Sequence, residues 1–225
     1  TTNGSWNVVA GTYEQSIDTN DPTGLDLDAT YHLASHAILD ASLGRDDYSY
    51  SVTLTPLTGT SDDVGVVFRW TDIDNHYRFT LNSEFGFARL EKRLGGTFTT
   101  LSSNLRGYMP SAAQNIEVEV DGSLIVVYVN GDPLFSFFDS DLPMGGVGLL
   151  ARGPVRFDDV LVTDNSSLAD IVVSSPVAHS VIPGGAQNVV VTAIARNVPS
   201  PLGAVEIHVD GGICGSATET SPGVY

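Results

Sequence analysis

Ile116-Glu117-Val118-Glu119-Val120-Asp121-Gly122 alternates apolar and acidic side chains and then reaches an Asp-Gly pair. A period of two predicts a β-strand with one face on a core and the other in water. The apolar run Leu124–Val129 follows, then Asn130-Gly131, then a second apolar run that ends at Phe138. Asp-Gly and Asn-Gly between apolar runs are typical of type I′ hairpin turns, whose central residues need a positive φ. The sequence therefore predicts a three-stranded antiparallel meander over residues 115–138.

Similar strand patterns occur on both sides of this meander. We predict strands at Tyr48–Thr55, Val64–Trp70, His76–Leu81, Phe87–Leu90, Gly146–Ala151 and Val155–Thr163. Long stretches with helical periodicity and recognisable caps are missing from the sequence. Many short strands separated by glycine-rich turns favour an all-β sandwich or jelly roll.

The sequence pattern and the charge density change near residues 164–170, where Asn165-Ser166-Ser167 interrupts the strand pattern. Residues 1–164 hold 23 acidic and 9 basic residues, whereas the remainder holds 4 acidic residues and Arg196. Only three or four strands fit into residues 171–225, fewer than the roughly seven of an immunoglobulin-like sandwich. We therefore expect two domains, 1–164 and 171–225, and we expect the second to be incomplete.

The charge balance argues against two classes of partner. Asp and Glu number 27 against 10 Lys and Arg, for a net charge of −17. Duplex DNA and anionic lipid surfaces need basic clusters, so we expect no nucleic-acid partner. No apolar run approaches the roughly 18 residues of a membrane-spanning helix, so we expect no membrane insertion. Twenty of the acids are Asp, a residue that both calcium loops and turns favour.

Four segments, taken in order, carry a family resemblance. They are Trp6–Gln15, Asp63–Phe79, Ile116–Gly122 with Val127–Asp132, and Gly145–Leu149 followed by Phe157–Val160. Together they resemble a laminin-G-like, concanavalin A-like lectin and glucanase domain over about residues 1–164. The resemblance implies an all-β fold, a concanavalin A-like antiparallel β-sandwich or jelly roll. That superfamily includes sugar-binding modules, glycoside hydrolases, polysaccharide lyases and adhesion domains, so the fold alone does not choose among them.

The second part of the chain resembles bacterial immunoglobulin-like spacer domains. The resemblance rests on Ser175-Pro176, Asn188–Ala193, Val205–Gly211 and Thr220–Tyr225. Such spacers join modules on secreted or cell-surface proteins. The resemblance therefore implies a partial immunoglobulin-like β-sandwich, further domains in the parent chain, and a secreted or cell-surface location.

The segment from Trp70 to Arg78 is the candidate ligand site. Its sequence is typical of a hairpin tip and is rich in polar and aromatic side chains. Aromatic faces stack on sugar rings, while Arg, Asp and Asn form hydrogen bonds with hydroxyl groups. The candidate ligand-binding residues are Trp70, Asp72, Asn75, His76, Tyr77 and Arg78. The alternative is an ordinary turn, in which Asp and Asn side chains bond to the nearby backbone.

Two sets of residues raise the question of catalysis. Glu117 and Glu119 lie on the same side of one predicted strand, and a pair of carboxylates is what glycoside hydrolysis needs. The alternative is that both are solvent-facing strand residues. His76, Tyr77 and Arg78 are residue types that a lyase uses. Because neighbours alternate across a strand, however, Tyr77 is expected on the face opposite His76 and Arg78.

Asp158 and Asp159 are the candidate calcium ligands. In similar β-sandwich modules an Asp near the last strand joins backbone carbonyls and an acid from the N-terminal region to hold a structural calcium. Alternation places Asp159 on the side of Phe157, where a carboxylate is costly unless coordinated or hydrogen-bonded. The candidate partners from the N-terminal region are Glu14, Asp26, Asp28 and Asp40. The alternative is an exposed Asp pair.

These observations predict a non-catalytic, lectin-like carbohydrate-binding module, stabilised by calcium, in a secreted multidomain protein. Its partner would be a polysaccharide or another glycan. Two alternatives stay open. One is a polysaccharide lyase or glycoside hydrolase of the same fold, and the other is an adhesion or structural domain that binds protein.

Overall fold

The structure is a computed structural model that describes residues 4–17, 19, 33–39, 44–60 and 62–164, and the backbone of four strands further along the chain. The chain divides into two compact units, Thr1–Thr163 and Asp164–Tyr225. The described part of the first unit is an antiparallel β-sandwich with a seven-stranded and a six-stranded sheet. None of the described residues belongs to a helix long and apolar enough to cross a membrane.

Thirteen strands build the described part of the first unit. They are β1 (Trp6–Val9), β2 (Thr12–Gln15), β3 (Ser35–Leu39), β4 (Tyr48–Pro56), β5 (Val64–Asp72), β6 (Asn75–Asn82), β7 (Phe87–Leu94), β8 (Thr97–Asn104), β9 (Gln114–Asp121), β10 (Leu124–Val129), β11 (Asp132–Phe138), β12 (Gly146–Ala151) and β13 (Val155–Asp164). The seven-stranded sheet has the order β1-β2-β13-β4-β9-β10-β11, and the six-stranded sheet has the order β3-β12-β5-β6-β7-β8.

The core lies between the two sheets and follows from the alternation in each strand. In β9, Ile116, Val118 and Val120 are buried in the core, whereas Glu117 and Glu119 lie on the opposite face and are half-buried. The same pattern appears in β4 and β6, whose inward side chains join one apolar cluster with those of β9. The predicted meander over residues 115–138 is confirmed, because β9, β10 and β11 are neighbours in one sheet.

The two hairpin turns of the meander differ from each other. Asn130 and Gly131 both have positive φ, at 57° and 81°, as a type I′ turn requires. In the other turn Asp121 pairs with Leu124, so the central residues are Gly122 and Ser123. Only Gly122 has a positive φ there. The predicted type I′ Asp-Gly turn is therefore wrong, and a glycine at the first central position is instead the pattern of a type II′ turn.

A bulge at the end of β5 turns Arg69 towards the sandwich interior. Arg69 has φ +45° and is fully buried, and the pairing of β5 with β6 shifts register after Phe68. Its guanidinium donates hydrogen bonds to the carbonyl oxygens of Asp46, Gly122 and Leu142, at 3.0, 2.6 and 3.3 Å. Arg69 thereby ties the end of the six-stranded sheet to loops of the seven-stranded sheet.

The second unit is described at four strands. β14 (Asp170–Ser175) pairs antiparallel with β15 (Thr192–Arg196), and β16 (Val205–Val209) pairs antiparallel with β17 (Gly212–Ala217). The immunoglobulin-like assignment of residues 171–225 stays a prediction.

Candidate functional site

The hairpin of β6 and β7 carries polar side chains on the side of the sheet that faces away from the core. Tyr77, Phe79 and Leu81 of β6 point into the core, so the residues between them point outward. The register of the two strands sets these outward residues opposite charged residues of β7. We call this surface the β6–β7 face; its members are His76, Arg78, Thr80, Arg89, Glu91 and Arg93.

An ion pair occupies the centre of the β6–β7 face. Arg78 and Glu91 are cross-strand partners, and the Arg78 Nε donates to the Glu91 Oε2 at 2.7 Å. Both side chains are 1% exposed. Burial raises the pKa of Glu91, and the Arg78 guanidinium opposes that shift. The Arg89 Nη1 lies 4.0 Å from the other carboxylate oxygen, Oε1, which is too far for a hydrogen bond.

Phe98 of β8 covers part of this ion pair. The guanidinium carbon of Arg78 lies 4.0 Å from the centre of the Phe98 ring, and that of Arg93 lies 4.9 Å from it. Arg93 also pairs with the carboxylate of Asp74 at 2.9 Å. Arg89, Arg93 and Phe98 are half-buried, whereas Arg78 is buried. The β6–β7 face therefore reaches solvent along its β7–β8 side.

A cluster of three rings lies at one end of the β6–β7 face. The Trp70 ring stacks on His76 with 4.7 Å between centroids, and His36 lies 5.1 Å from Trp70 and 5.6 Å from His76. Burial, with added repulsion from Arg78 and Arg93, lowers the pKa of His76 to about 4, against a weaker opposing effect of its hydrogen bond to Asp72. Burial also lowers the pKa of His36.

Trp70 is not the open stacking surface that the sequence suggested. Its side chain is 8% exposed and forms a second apolar cluster with Val67 and Leu150, outside the main core. Partly buried neighbours such as Ile38 pack against the same cluster. A sugar ring cannot stack on a Trp face that is already in contact with His76 and His36.

The structure brings together only half of the predicted ligand residues. Trp70, His76 and Arg78 share one face of the sheet. Asp72 and Asn75 lie at the hairpin tip, where the Asn75 Nδ2 donates to Asp72 at 2.9 Å and the Asp74 amide donates to the same carboxylate at 2.8 Å. Those contacts are the geometry of the ordinary turn that stood as the alternative.

Tyr77 faces the core, as strand alternation predicted. Its ring stacks on Phe68 at 5.4 Å, and its hydroxyl donates to Asp139. Burial, together with that hydrogen bond, raises the pKa of Tyr77. A lyase would need the tyrosine and His76 on one side of the strand, so this pair is not assembled here.

Four buried polar atoms on the β6–β7 face lack a hydrogen-bond partner among the residues that the structure describes, and one of them is the Nε of the half-buried Arg93. The other three are the Nε2 of His76, the Oγ1 of Thr80 and the Oε1 of Glu91. All three side chains are at most 1% exposed. Buried polar atoms in native proteins are almost always hydrogen-bonded, so such a group of them indicates a bound water or ligand.

Sequence reasoning missed Thr80, Glu91 and Phe98. A signal for part of this set was present, because Arg89, Glu91 and Arg93 are spaced by two and so share one face of a strand. Phe98 is an isolated aromatic residue in a run of threonines, and β8 itself was not predicted. β8 is polar because it forms the edge of the six-stranded sheet.

Glu117 and Glu119 lie on the outward face of the seven-stranded sheet. Burial raises the pKa of Glu117, and the neighbouring Glu119 adds to the shift. The Tyr128 hydroxyl donates to the Glu119 Oε2 at 3.1 Å. The two carboxylates are half-buried rather than fully solvated.

The described calcium candidates do not form a joint set of ligands. Asp158 and Asp159 are exposed, and the Glu14 Oε2 accepts from the Arg156 Nε at 2.7 Å. Asp159 has φ +51°, and its carboxylate accepts from Thr53 on the outward face of the seven-stranded sheet. The predicted placement of Asp159 on the side of Phe157 is therefore wrong, because the positive φ of Asp159 interrupts the alternation of β13.

In the part of the chain that the structure describes, no group of three or more His, Cys, Asp or Glu side chains could hold a metal ion. Asp26, Asp28 and Asp40 lie outside the described residues. The residues present therefore do not by themselves fit a calcium ion, and calcium binding stays a prediction.

Comparisons with known proteins bear on the fold. No family model matches the chain, and no curated protein matches it by sequence. The solved structure of carbohydrate binding module CBM66 from Bacillus subtilis is similar, with a TM-score of 0.61 and 17% identity over 72% of this chain and 92% of that one. The GH43 BlXynB protein from Bacillus licheniformis matches with a TM-score of 0.50 and 13% identity, over 71% of this chain and 34% of that one. Sheep galectin-11 gives a TM-score of 0.46 and 14% identity, over 59% of this chain and 99% of that one.

The first unit is a jelly-roll β-sandwich. The prediction of an all-β, antiparallel fold is thus confirmed. The sequence identities to these structures are low and support the fold alone.

Proposed function

We propose that the first unit is a non-catalytic carbohydrate-binding module and that it binds a glycan on the β6–β7 face. The observation that carries the proposal is the group of buried polar atoms around the Arg78–Glu91 ion pair, with His76 and Thr80 on either side. A carboxylate, a guanidinium and a hydroxyl arranged in this way form hydrogen bonds with neighbouring sugar hydroxyls.

A purely structural role explains this face poorly. Burying an ion pair costs desolvation energy that its own attraction barely repays, and apolar residues would stabilise the sheet as well or better. The apolar cluster of Trp70, Val67 and Leu150 shows that this side of the sheet accepts such residues. Charged residues beside it are therefore better explained by a ligand than by stability.

Phe98 marks the place where the sugar would dock. It is the described aromatic residue that contacts Arg78 and is also partly exposed. The sugar would enter from the β7–β8 side, place its apolar face against Phe98, and direct hydroxyls towards the ion pair. The likeness to a structure titled as a carbohydrate binding module supports the proposal.

A glycan screen with two matched variants tests this proposal. Wild-type protein, Phe98→Ala and Phe138→Ala would be run on immobilised polysaccharides and on affinity gels. Phe138 is an exposed phenylalanine of the seven-stranded sheet and serves as the control. We expect Phe98→Ala to bind at least about tenfold more weakly, the loss of roughly 1.4 kcal/mol of contact. Wild type that retains no glycan, or equal binding by both variants, would contradict the proposal.

A glycoside hydrolase is the second candidate, and one observation favours it. Burial and the neighbouring Glu119 raise the pKa of Glu117, and a raised pKa is what the general acid of a glycoside hydrolase needs. Release of reducing sugar from a polysaccharide by the wild type, lost in Glu117→Gln, would favour the enzyme over the binding module.

Calcium, the secreted location and an immunoglobulin-like spacer belong to the same proposal. A calcium-stabilised module should unfold at a lower temperature in chelator than in calcium. Asp158→Asn and Asp159→Asn should each reduce that difference if these residues help to hold the ion. An unchanged midpoint in chelator would exclude stabilisation by calcium.

A further inference from the structure

Two of the buried polar atoms that lack partners, the Nε2 of His76 and the Oε1 of Glu91, also carry information about which sugars fit. Glu91 and His76 are diagonal neighbours on the β6–β7 face, since Glu91 lies opposite Arg78, two residues along β6 from His76. Diagonal neighbours in an antiparallel pair lie about 7–8 Å apart. One sugar ring with two hydroxyl groups can span such a gap.

The Nε2 of His76 is a hydrogen-bond acceptor. Its Nδ1 lies 3.3 Å from the carbonyl oxygen of Asp72, and a carbonyl oxygen can only accept. Nδ1 therefore carries the proton, and a neutral imidazole with a proton on Nδ1 has none on Nε2. Burial lowers the pKa of His76 to about 4, which keeps the ring neutral near pH 7.

The Oε1 of Glu91 is an acceptor as well. The other oxygen, Oε2, receives the hydrogen bond from the Arg78 Nε, and this ion pair favours the carboxylate against the rise in pKa that burial causes. The Oε1 is left with the Arg89 Nη1 at 4.0 Å, beyond hydrogen-bond reach. Two buried acceptors thus belong to diagonal neighbours on the β6–β7 face, and each requires a donor.

We infer that the His76 Nε2 and the Glu91 Oε1 accept hydrogen bonds from two hydroxyl groups of an uncharged sugar, and that a sugar with a carboxylate or sulfate in place of either hydroxyl is rejected. A sugar hydroxyl can donate to either atom, whereas a carboxylate or sulfate oxygen can only accept. This inference rests on the proposed glycan-binding function and narrows it to a class of ligand.

The test is a glycan array with neutral, uronate-containing and sulfated oligosaccharides, probed at about 0.15 M and about 1 M salt. The net charge of −17 repels polyanions from the whole surface. Raising the salt shortens the screening length from about 8 Å to about 3 Å and removes that long-range repulsion. Rejection of anionic sugars at both salt concentrations is expected if the local acceptors cause it.

Two variants test whether the His76 Nε2 and the Glu91 Oε1 cause the selectivity for neutral sugars. His76→Phe keeps a ring against Trp70 but lacks the acceptor, so its affinity for the neutral sugar should fall about tenfold. In Glu91→Gln the amide oxygen is needed by the Arg78 Nε, so the NH₂ group takes the place of the Oε1 and offers a donor. This variant should lose preference for neutral over uronate sugars.

The outcomes separate the inference from the proposed function. No binding by the wild type overturns both. Binding of uronate or sulfated sugars at either salt concentration overturns the inference and leaves glycan binding intact. Neutral-sugar binding that His76→Phe and Glu91→Gln leave unchanged shows that the sugar lies elsewhere, and this also overturns the inference.

Discussion

Arg78 and Glu91 form a hydrogen-bonded ion pair across β6 and β7 that is almost fully buried, although both side chains face away from the sandwich core. Side chains on that side of a two-layer sandwich ordinarily meet water, where an ion pair contributes little. Here the pair lies under Phe98 and beside a ring cluster of Trp70, His76 and His36. A buried, charged centre on the outward side of a sheet is the main reason to regard it as a binding site.

Removing one partner of this pair should destabilise the fold strongly. Glu91→Ala leaves the Arg78 charge buried, at a cost of about 3–5 kcal/mol in the free energy of unfolding. The double variant Arg78→Met with Glu91→Leu removes both charges and should cost clearly less. Urea denaturation of the wild type and both variants measures this. A single variant no less stable than the double variant would contradict the buried pair.

Stability should fall as the pH is lowered from 6.5 to 4. His76 has a pKa of about 4 in the folded protein, against the ordinary histidine value of 6.5 in the unfolded chain, so in this range the unfolded chain binds more protons. The contribution is fully present above pH 6.5, and its loss amounts to about 3 kcal/mol by pH 4. The lowered pKa of His36 acts in the same direction, whereas the raised pKa of Glu91 acts against it.

The comparison of wild type with His76→Phe isolates this effect. Urea unfolding at pH 7, 5.5 and 4.5 should show a shallower pH dependence in the variant, since the remaining titratable groups are common to both proteins. Parallel pH profiles for the two proteins would mean that His76 is not buried in a neutral form.

Arg69 should be essential for the stability of the sandwich. Arg69→Met keeps much of the side-chain volume but leaves the carbonyl oxygens of Asp46, Gly122 and Leu142 without this donor. Unpaired buried acceptors cost about 1–3 kcal/mol each, so we expect a loss of at least about 3 kcal/mol. Arg106→Met, at a partly exposed loop position, is the matched control and should change stability by less than about 0.5 kcal/mol. Equal midpoints of thermal unfolding for both variants would contradict the role of Arg69.

Local patterns predicted the strands well and the site only in part. The alternation at Ile116–Val120 depends on one strand and its two faces, and the structure reproduces it. The bulge at Arg69 and the positive φ of Asp159 break such alternation. Both residues form hydrogen bonds with distant segments of the chain, and no local sequence signal marks either position. For that reason the predicted side of Asp159 was wrong.

The same dependence on distant segments explains why the β6–β7 face was only partly predicted. His76 and Arg78 were recognisable as site candidates from one hairpin. Glu91 and Phe98 join them only through the register of β6 with β7 and of β7 with β8. Register between strands depends on turn geometry and on packing across the sheet, which sequence patterning alone does not specify.

A substitution of Thr80 tests most directly the central claim that a glycan binds the β6–β7 face. The Thr80 Oγ1 is buried with no hydrogen-bond partner among the described residues, so Thr80→Val removes no hydrogen bond that these residues form. Thr55→Val makes the same change on the outward face of the seven-stranded sheet and serves as the control.

The measurement is calorimetric titration of both variants with the glycan that binds the wild type, with thermal unfolding in parallel. We predict that Thr80→Val keeps its unfolding temperature and binds about tenfold more weakly, whereas Thr55→Val binds as the wild type does. Unchanged affinity in Thr80→Val would contradict the claim.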